Sequence, residues 1–159
     1  MFYAILIGAG ATSLLDLWHV VRAWWVGATM PGYGLVGRWL AYLTRGQFFH
    51  DAIAKSAPIK GERLIGWIAH YLIGIAFAAI LLALWGSDWV RQPTLIPALV
   101  VGTGSVAAPF LLMQPGMGAG IAASRTADPH AARLRSIATH TIFGIGLYAA
   151  GWATSLLAT

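Results

Sequence analysis

Residues 62–85 read ERLIGWIAHYLIGIAFAAILLALW. After Glu62 and Arg63 the stretch has no charged side chain, and His70 is its one strongly polar interruption. As an α-helix rising 1.5 Å per residue it would extend roughly 36 Å, enough to cross a hydrocarbon core of about 30 Å. Three further stretches have comparable length and polarity: about Phe2 to Val26, about Thr94 to Met113 and about Ala131 to Leu157. The expectation is an all-α protein, a four-transmembrane-helix bundle in a single domain covering residues 1–159.

Composition agrees. The chain is 58% hydrophobic and 9% charged, with a mean hydropathy of +0.72, whereas soluble domains carry about 25% charged residues. Too little charge is present to cover a water-facing surface, so the bilayer is the expected solvent and lipid the expected partner. No cysteine occurs, which removes disulfides, iron–sulfur clusters and thiolate metal sites. Met1-Phe2-Tyr3-Ala4 lacks the basic start of a signal peptide, so the first apolar run is expected to be a retained helix. Trp24, Trp25, Trp67, Trp85 and Trp89 fall near proposed helix ends, where amphipathic rings favour the membrane interface.

Cations set the orientation. Arg38, Arg45, Lys55, Lys60 and Arg63 lie between the first two spans or at their junction; Arg125, Arg133 and Arg135 lie between the last two. Arg22 is near the same face, and only Arg91, beside Asp88, falls opposite. The positive-inside rule then puts both long loops in the cytoplasm and both termini outside. The formal charge of +5 reads as a topology signal, not as a nucleic-acid surface. Within the first loop, Leu35, Trp39 and Leu43 have helical spacing, which predicts either a short interfacial helix or a cap packed under the bundle. Asp128-Pro129 reads as an N-cap with proline at the first helical position.

The halves of the chain echo one another. Arg63-Leu64, His70 and Gly74-Ile75 recur at the same spacings as Arg133-Leu134, His140 and Gly144-Ile145. Upstream, Pro31-Gly32-Tyr33-Gly34 is matched by Pro115-Gly116-Met117-Gly118. These pairs predict two duplicated helical hairpins related by an axis along the membrane normal. On that reading His70 and His140 face one another at equal depth. Asp16 and His19 have no counterparts in the third span.

Helical rise puts His70 and His140 about 10 Å inside Arg63 and Arg133. His19 lies at a similar depth, with Asp16 one turn deeper on the same face. Ionisable groups at such depth are costly and often mark function. One reading is a transition-metal site for zinc, iron, copper or nickel, with Asp16, His19, His70 and His140 as donors, or with Asp16 orienting His19. A second is bis-histidine haem with His70 and His140 as axial ligands. A third is a proton or ion path through Asp16 and His19. The fourth is structural: a membrane scaffold in which histidines bridge helices, associating with a membrane partner or a second copy. Pro109, unable to donate to the Ser105 carbonyl, leaves that oxygen free at comparable depth. Glycines beside His70 and His140 leave room for close helix packing or for a bulky group.

Other patterns carry less. Gly116-Met117-Gly118-Ala119-Gly120 lacks the lysine of a P-loop and reads as a flexible cytoplasmic turn. Met113 and Met117 read as packing. His50-Asp51 and His130 read as solvated loop residues, and no hydrolase constellation is present.

The stretches GATSLLDLWHV from Gly10, VGRWLAYLTRGQFFHDAIA from Val36 and GERLIGWIAHYLIGIAFA from Gly61 resemble a bacterial family of small inner-membrane proteins, the domain of unknown function 2938. MQPGMGAGIAASRT from Met113 and ARLRSIATHTIFGIGLY from Ala132 extend the resemblance over nearly the whole chain. It implies a stand-alone domain of the bacterial inner membrane and brings no activity with it.

Overall fold

A computed structural model describes residues 1–157. The elements in order are α1 (Phe2–Val26), α2 (Tyr33–Leu43), α3 (Glu62–Trp85), α4 (Asp88–Arg91), α5 (Leu95–Gly104), α6 (Gln114–Gly116) and α7 (Pro129–Ser155). Short 3-10 turns lie at Ile53–Lys55 and Ile121–Ala123, a π turn at Pro109–Met113, and no strand occurs among the described residues. The all-α expectation holds, and α1 and α3 have the boundaries that hydropathy sets.

Three helical stretches are both long and apolar enough to cross a membrane: Phe2–Val26, Glu62–Trp85 and Leu95–Gly116. The fourth expected span, α7, has 27 residues and thus a length of roughly 40 Å. Its glycines, hydroxyls and His140 dilute its hydropathy, so it meets the length condition without matching the other three in apolar character. Asp128 caps α7 as expected: its Oδ1 accepts from the Ala131 amide at 3.0 Å, with Pro129 opening the helix. The third span is less regular than its hydropathy. α5 stops at Gly104, and the chain turns before Pro109 opens the π turn, because proline lacks the amide that would continue the ladder.

The chain divides into two compact units. The first comprises Met1–Pro31, Tyr71–Ser105 and Ala138–Thr159; the second comprises Gly32–His70 and Val106–Ile137. The first has a continuous apolar core that includes Ile7, Ala11, Leu81, Val90, Ala98 and Leu147. Its helices meet at glycines. A methyl group at Gly8 would collide with the Ile75 backbone, one at Gly74 with Thr12, and one at Gly102 with the Gly144 backbone. The small residues beside the histidines therefore serve close packing. Trp89 is buried at 5% exposure. Its ring lies against Gly151, and its Nε1 donates to the Thr94 carbonyl at 3.3 Å.

The second unit is built from the two long loops and the helix starts beside them. α2 packs on the start of α3: Gly37 sits against the Glu62 backbone and Gly66 against the Tyr33 carbonyl. Arg38 is buried at 8% exposure. Its Nε and Nη2 donate to the two Glu62 carboxylate oxygens at 2.7 and 2.8 Å. Its Nη1 donates to the Ser56 and Ile53 carbonyls at 2.9 and 3.3 Å. The hydrogen bond to Glu62 holds the Arg38 pKa above its ordinary value. The loops also join directly, through the His50 amide to the Gly116 carbonyl at 2.9 Å and the Ile53 amide to the Met117 carbonyl at 3.0 Å.

This packing corrects two expectations. His50 is buried at 8% exposure, with Nδ1 at 3.0 Å from Ser56 Oγ and 3.3 Å from Gln47 Nε2; Asp51 and His130 are exposed as expected. The glycine run is a fitted contact: Gly116 lies on the Trp39 ring, and Gly118, with φ +93°, lies against the Asp51 carbonyl. No local pattern announces either feature, because both arise where two distant loops meet.

Candidate functional site

The polar residues singled out in the sequence, with their partners, fall into three local sets. In the first, α1 and α3 bring Asp16, Ser13 and Tyr71 together. The Tyr71 hydroxyl donates to Asp16 Oδ2 at 3.1 Å and lies 3.3 Å from Ser13 Oγ. Since the tyrosine proton is committed to the carboxylate, the serine hydroxyl donates to the tyrosine oxygen. His19 stands one turn further along α1, half-buried like Asp16.

The second set joins α5 to α7. Ser105, buried at 3% exposure, donates its hydroxyl proton to the Gly102 carbonyl at 2.6 Å, and its oxygen lies 2.7 Å from His140 Nδ1. A hydroxyl has one proton, and the carbonyl can only accept. His140 Nδ1 must therefore be the N–H that donates to Ser105, leaving the lone pair on Nε2. Beside it, the Thr103 and Thr141 hydroxyls lie 3.2 Å apart. The Ser105 side chain, more than its carbonyl, is what engages the histidine.

The third set lies in the loop-built unit. The Tyr33 hydroxyl is 3.0 Å from His70 Nε2, the two rings stack with centroids 4.3 Å apart, and Trp67 meets the His70 ring edge-on at 6.0 Å.

The four expected donors are thus distributed: Asp16, His19 and His140 belong to the first unit and His70 to the second. Among the described residues no group of three or more histidines, aspartates or glutamates is placed to hold a metal ion. A ligating histidine generally donates its other ring N–H to a fixed acceptor. His140 meets that condition through Ser105, whereas the Nε2 of His70 is engaged by Tyr33.

The ionisable groups stand out in the sequence, whereas their partners Tyr33, Tyr71 and Ser13 do not. Tyr71 was the one most open to detection, as a hydroxyl next to His70 in an otherwise apolar helix.

These features define a small all-helical protein with apolar helices of membrane length and a few hydrogen-bonded polar sets inside them. The chain belongs to the family described as a protein of unknown function, DUF2938, which matches residues 5–154. No curated protein and no solved structure matches it.

Proposed function

We propose that the chain is an integral membrane protein with four spans, α7 being the fourth, and that Asp16 with Tyr71 forms a proton-exchanging centre on a path that includes His19. The observation that carries the reading is the Asp16–Tyr71 hydrogen bond of 3.1 Å, made between two helices that are each apolar enough to cross a membrane. A carboxylate at that depth is costly and usually faces a polar path or a partner. Tyrosine, serine and histidine beside it can pass a proton in short steps.

Several observations support the membrane placement. Large apolar side chains are exposed along the helices, including Leu17, Trp24, Leu72, Leu84 and Ile96 at 58, 82, 59, 67 and 75%, a surface that suits lipid and not water. The two long loops pack into one compact unit, as loops on one side of a membrane would. That unit holds eight of the ten cations and three of the five acids, so the formal charge of +5 resides in it. By the positive-inside rule it faces the cytoplasm, with both termini outside, in the bacterial inner membrane. The recurring Gly74 and Gly144 contacts with α1 and α5 are in keeping with a duplicated hairpin.

The reading is tested in proteoliposomes enclosing a pH dye, with a potassium–valinomycin potential driving proton entry. Wild-type protein should acidify the lumen, Asp16→Asn should abolish the flux, and Tyr71→Phe should slow it. Flux that is no greater than in empty liposomes, or that survives Asp16→Asn, would overturn the proposal. Elemental analysis of the same protein separates the metal reading: stoichiometric zinc, iron, copper or nickel, lost in His140→Ala, would favour it. A Soret band lost in His140→Ala would favour haem.

A further inference from the structure

A cleft of about 350 Å³ opens in the loop-built unit, lined by Phe49, Pro115, Gly120, Ile121, Ser124 and Arg125. Its size falls in the range of small-molecule sites, and its chemistry is divided. Phe49 and Ile121 are apolar yet 74 and 62% exposed, while Ser124 and Arg125 supply a hydroxyl and a guanidinium. Among the described residues no ion pair or side-chain hydrogen bond engages that guanidinium, unlike that of Arg38. Pro115 belongs to the last turn of the apolar Leu95–Gly116 helix, and Arg125 follows nine residues after Gly116. The cleft therefore includes the last turn of that helical stretch.

We infer that this cleft binds an anionic phospholipid of the leaflet facing the loops, its phosphate on Arg125 and Ser124 and its acyl chain along Phe49, Ile121 and Pro115. Three arguments select a lipid. The unit that contains the cleft carries the chain's whole net positive charge, and such juxtamembrane segments attract anionic headgroups. The guanidinium matches a phosphate oxygen pair in geometry as well as charge. A free phosphate would satisfy Arg125 and leave Phe49 and Ile121 uncovered, whereas a lipid covers both. The backbone that shapes this wall is unusual: Ala122 and Ala123 have φ of +47° and +59°. Arg133 Nε donates to the Ala122 carbonyl at 2.8 Å and holds the turn in place.

The inference rests on the membrane placement above but not on the proton path. It is tested with full-length protein in a neutral detergent, titrated with short-chain phosphatidylglycerol, phosphatidylcholine or inorganic phosphate. Native mass spectrometry counts the bound lipid and gives the affinities. Phosphatidylglycerol should bind more tightly than phosphatidylcholine. Arg125→Gln should weaken it about tenfold, as loss of a charge-assisted hydrogen bond does. Arg45→Gln, an exposed loop cation outside the cleft, should change it less than about twofold, since it contributes only a screened field. Phe49→Ser should weaken phosphatidylglycerol and leave phosphate unaffected. Equal losses in Arg125→Gln and Arg45→Gln would overturn the site in favour of general charge attraction. Equal affinity for phosphatidylglycerol and phosphatidylcholine would overturn it too, as would phosphate binding as tightly as the lipid. Carbonate extraction of each variant reports membrane insertion separately, so loss of the cleft and loss of the membrane reading give different results.

Discussion

Gly102 and Gly104 lie two residues apart on α5 and should respond oppositely to the same substitution. A Cβ built at Gly102 would overlap the Gly144 backbone of α7 and come within 3.1 Å of the His140 carbonyl, whereas one at Gly104 meets nothing within 4 Å. Backbone atoms cannot swing aside as a side chain end does, so the two helices must separate. Overpacking of this kind costs about 1–3 kcal/mol. Replacing a helical glycine by alanine returns up to about 1 kcal/mol of helix propensity. With the full propensity gain subtracted, Gly102→Ala is destabilised by up to about 2 kcal/mol, a factor of up to roughly 30 in the folded ratio, and it stays about 1–3 kcal/mol below Gly104→Ala. Gly104→Ala keeps the propensity gain alone and should be neutral or slightly stabilised. The assay is unfolding in mixed dodecylmaltoside–SDS micelles, followed by helical circular dichroism, with both variants in one series. Gly102→Ala as stable as Gly104→Ala would refute the claim that α5 and α7 close on this glycine pair. The effect should reach the site as well, because Gly102 supplies the carbonyl that fixes the Ser105 proton and hence the His140 tautomer.

Two further outcomes are expected. Cysteines placed at Ser87 and at Lys60 should label from opposite sides with an impermeant maleimide in intact cells, Ser87 from outside; labelling of both from outside would sink the four-span orientation. Asp128→Ala removes the cap on α7 and should cost about 1 kcal/mol in the same micelle titration, whereas Asp128→Asn, which keeps an acceptor oxygen, should lose much less.

The helices were legible because hydropathy and length act locally. α1 and α3 end where the apolar runs end, and the Asp128-Pro129 signal needs only the two residues and the helix that follows. α7 was legible as a helix, yet its glycines and hydroxyls leave its span character to context. The site was legible by half. An aspartate or histidine in an apolar run stands out by its insertion cost alone. What it bonds to depends on which face of another helix it meets, and single-helix periodicity has no access to that. Tyr71 illustrates this: its side chain reads as one more aromatic ring until α1 is placed beside it. The loop unit was the least legible, since Arg38, His50 and Gly118 take their roles from contacts across dozens of residues.

The hydroxyls of the first unit bear on where its chemistry can lie. Thr12 donates to the Gly8 carbonyl at 2.8 Å, Thr154 to the Ala150 carbonyl at 2.7 Å and Ser105 to the Gly102 carbonyl at 2.6 Å. Each is a bond within its own chain segment, made with a carbonyl three or four residues back, so these groups are quieted by backbone before any helix packs. Asp16 differs. Its carboxylate has no such carbonyl to donate to when ionised, and it takes a proton donor from another helix. The formal charges of this unit cancel, Asp16 and Asp88 against Arg22 and Arg91, and the Asp88–Arg91 contact of 3.4 Å is exposed and worth little. Within α1, then, Asp16 is the acid, and its hydrogen bond with Tyr71 ties that helix to α3.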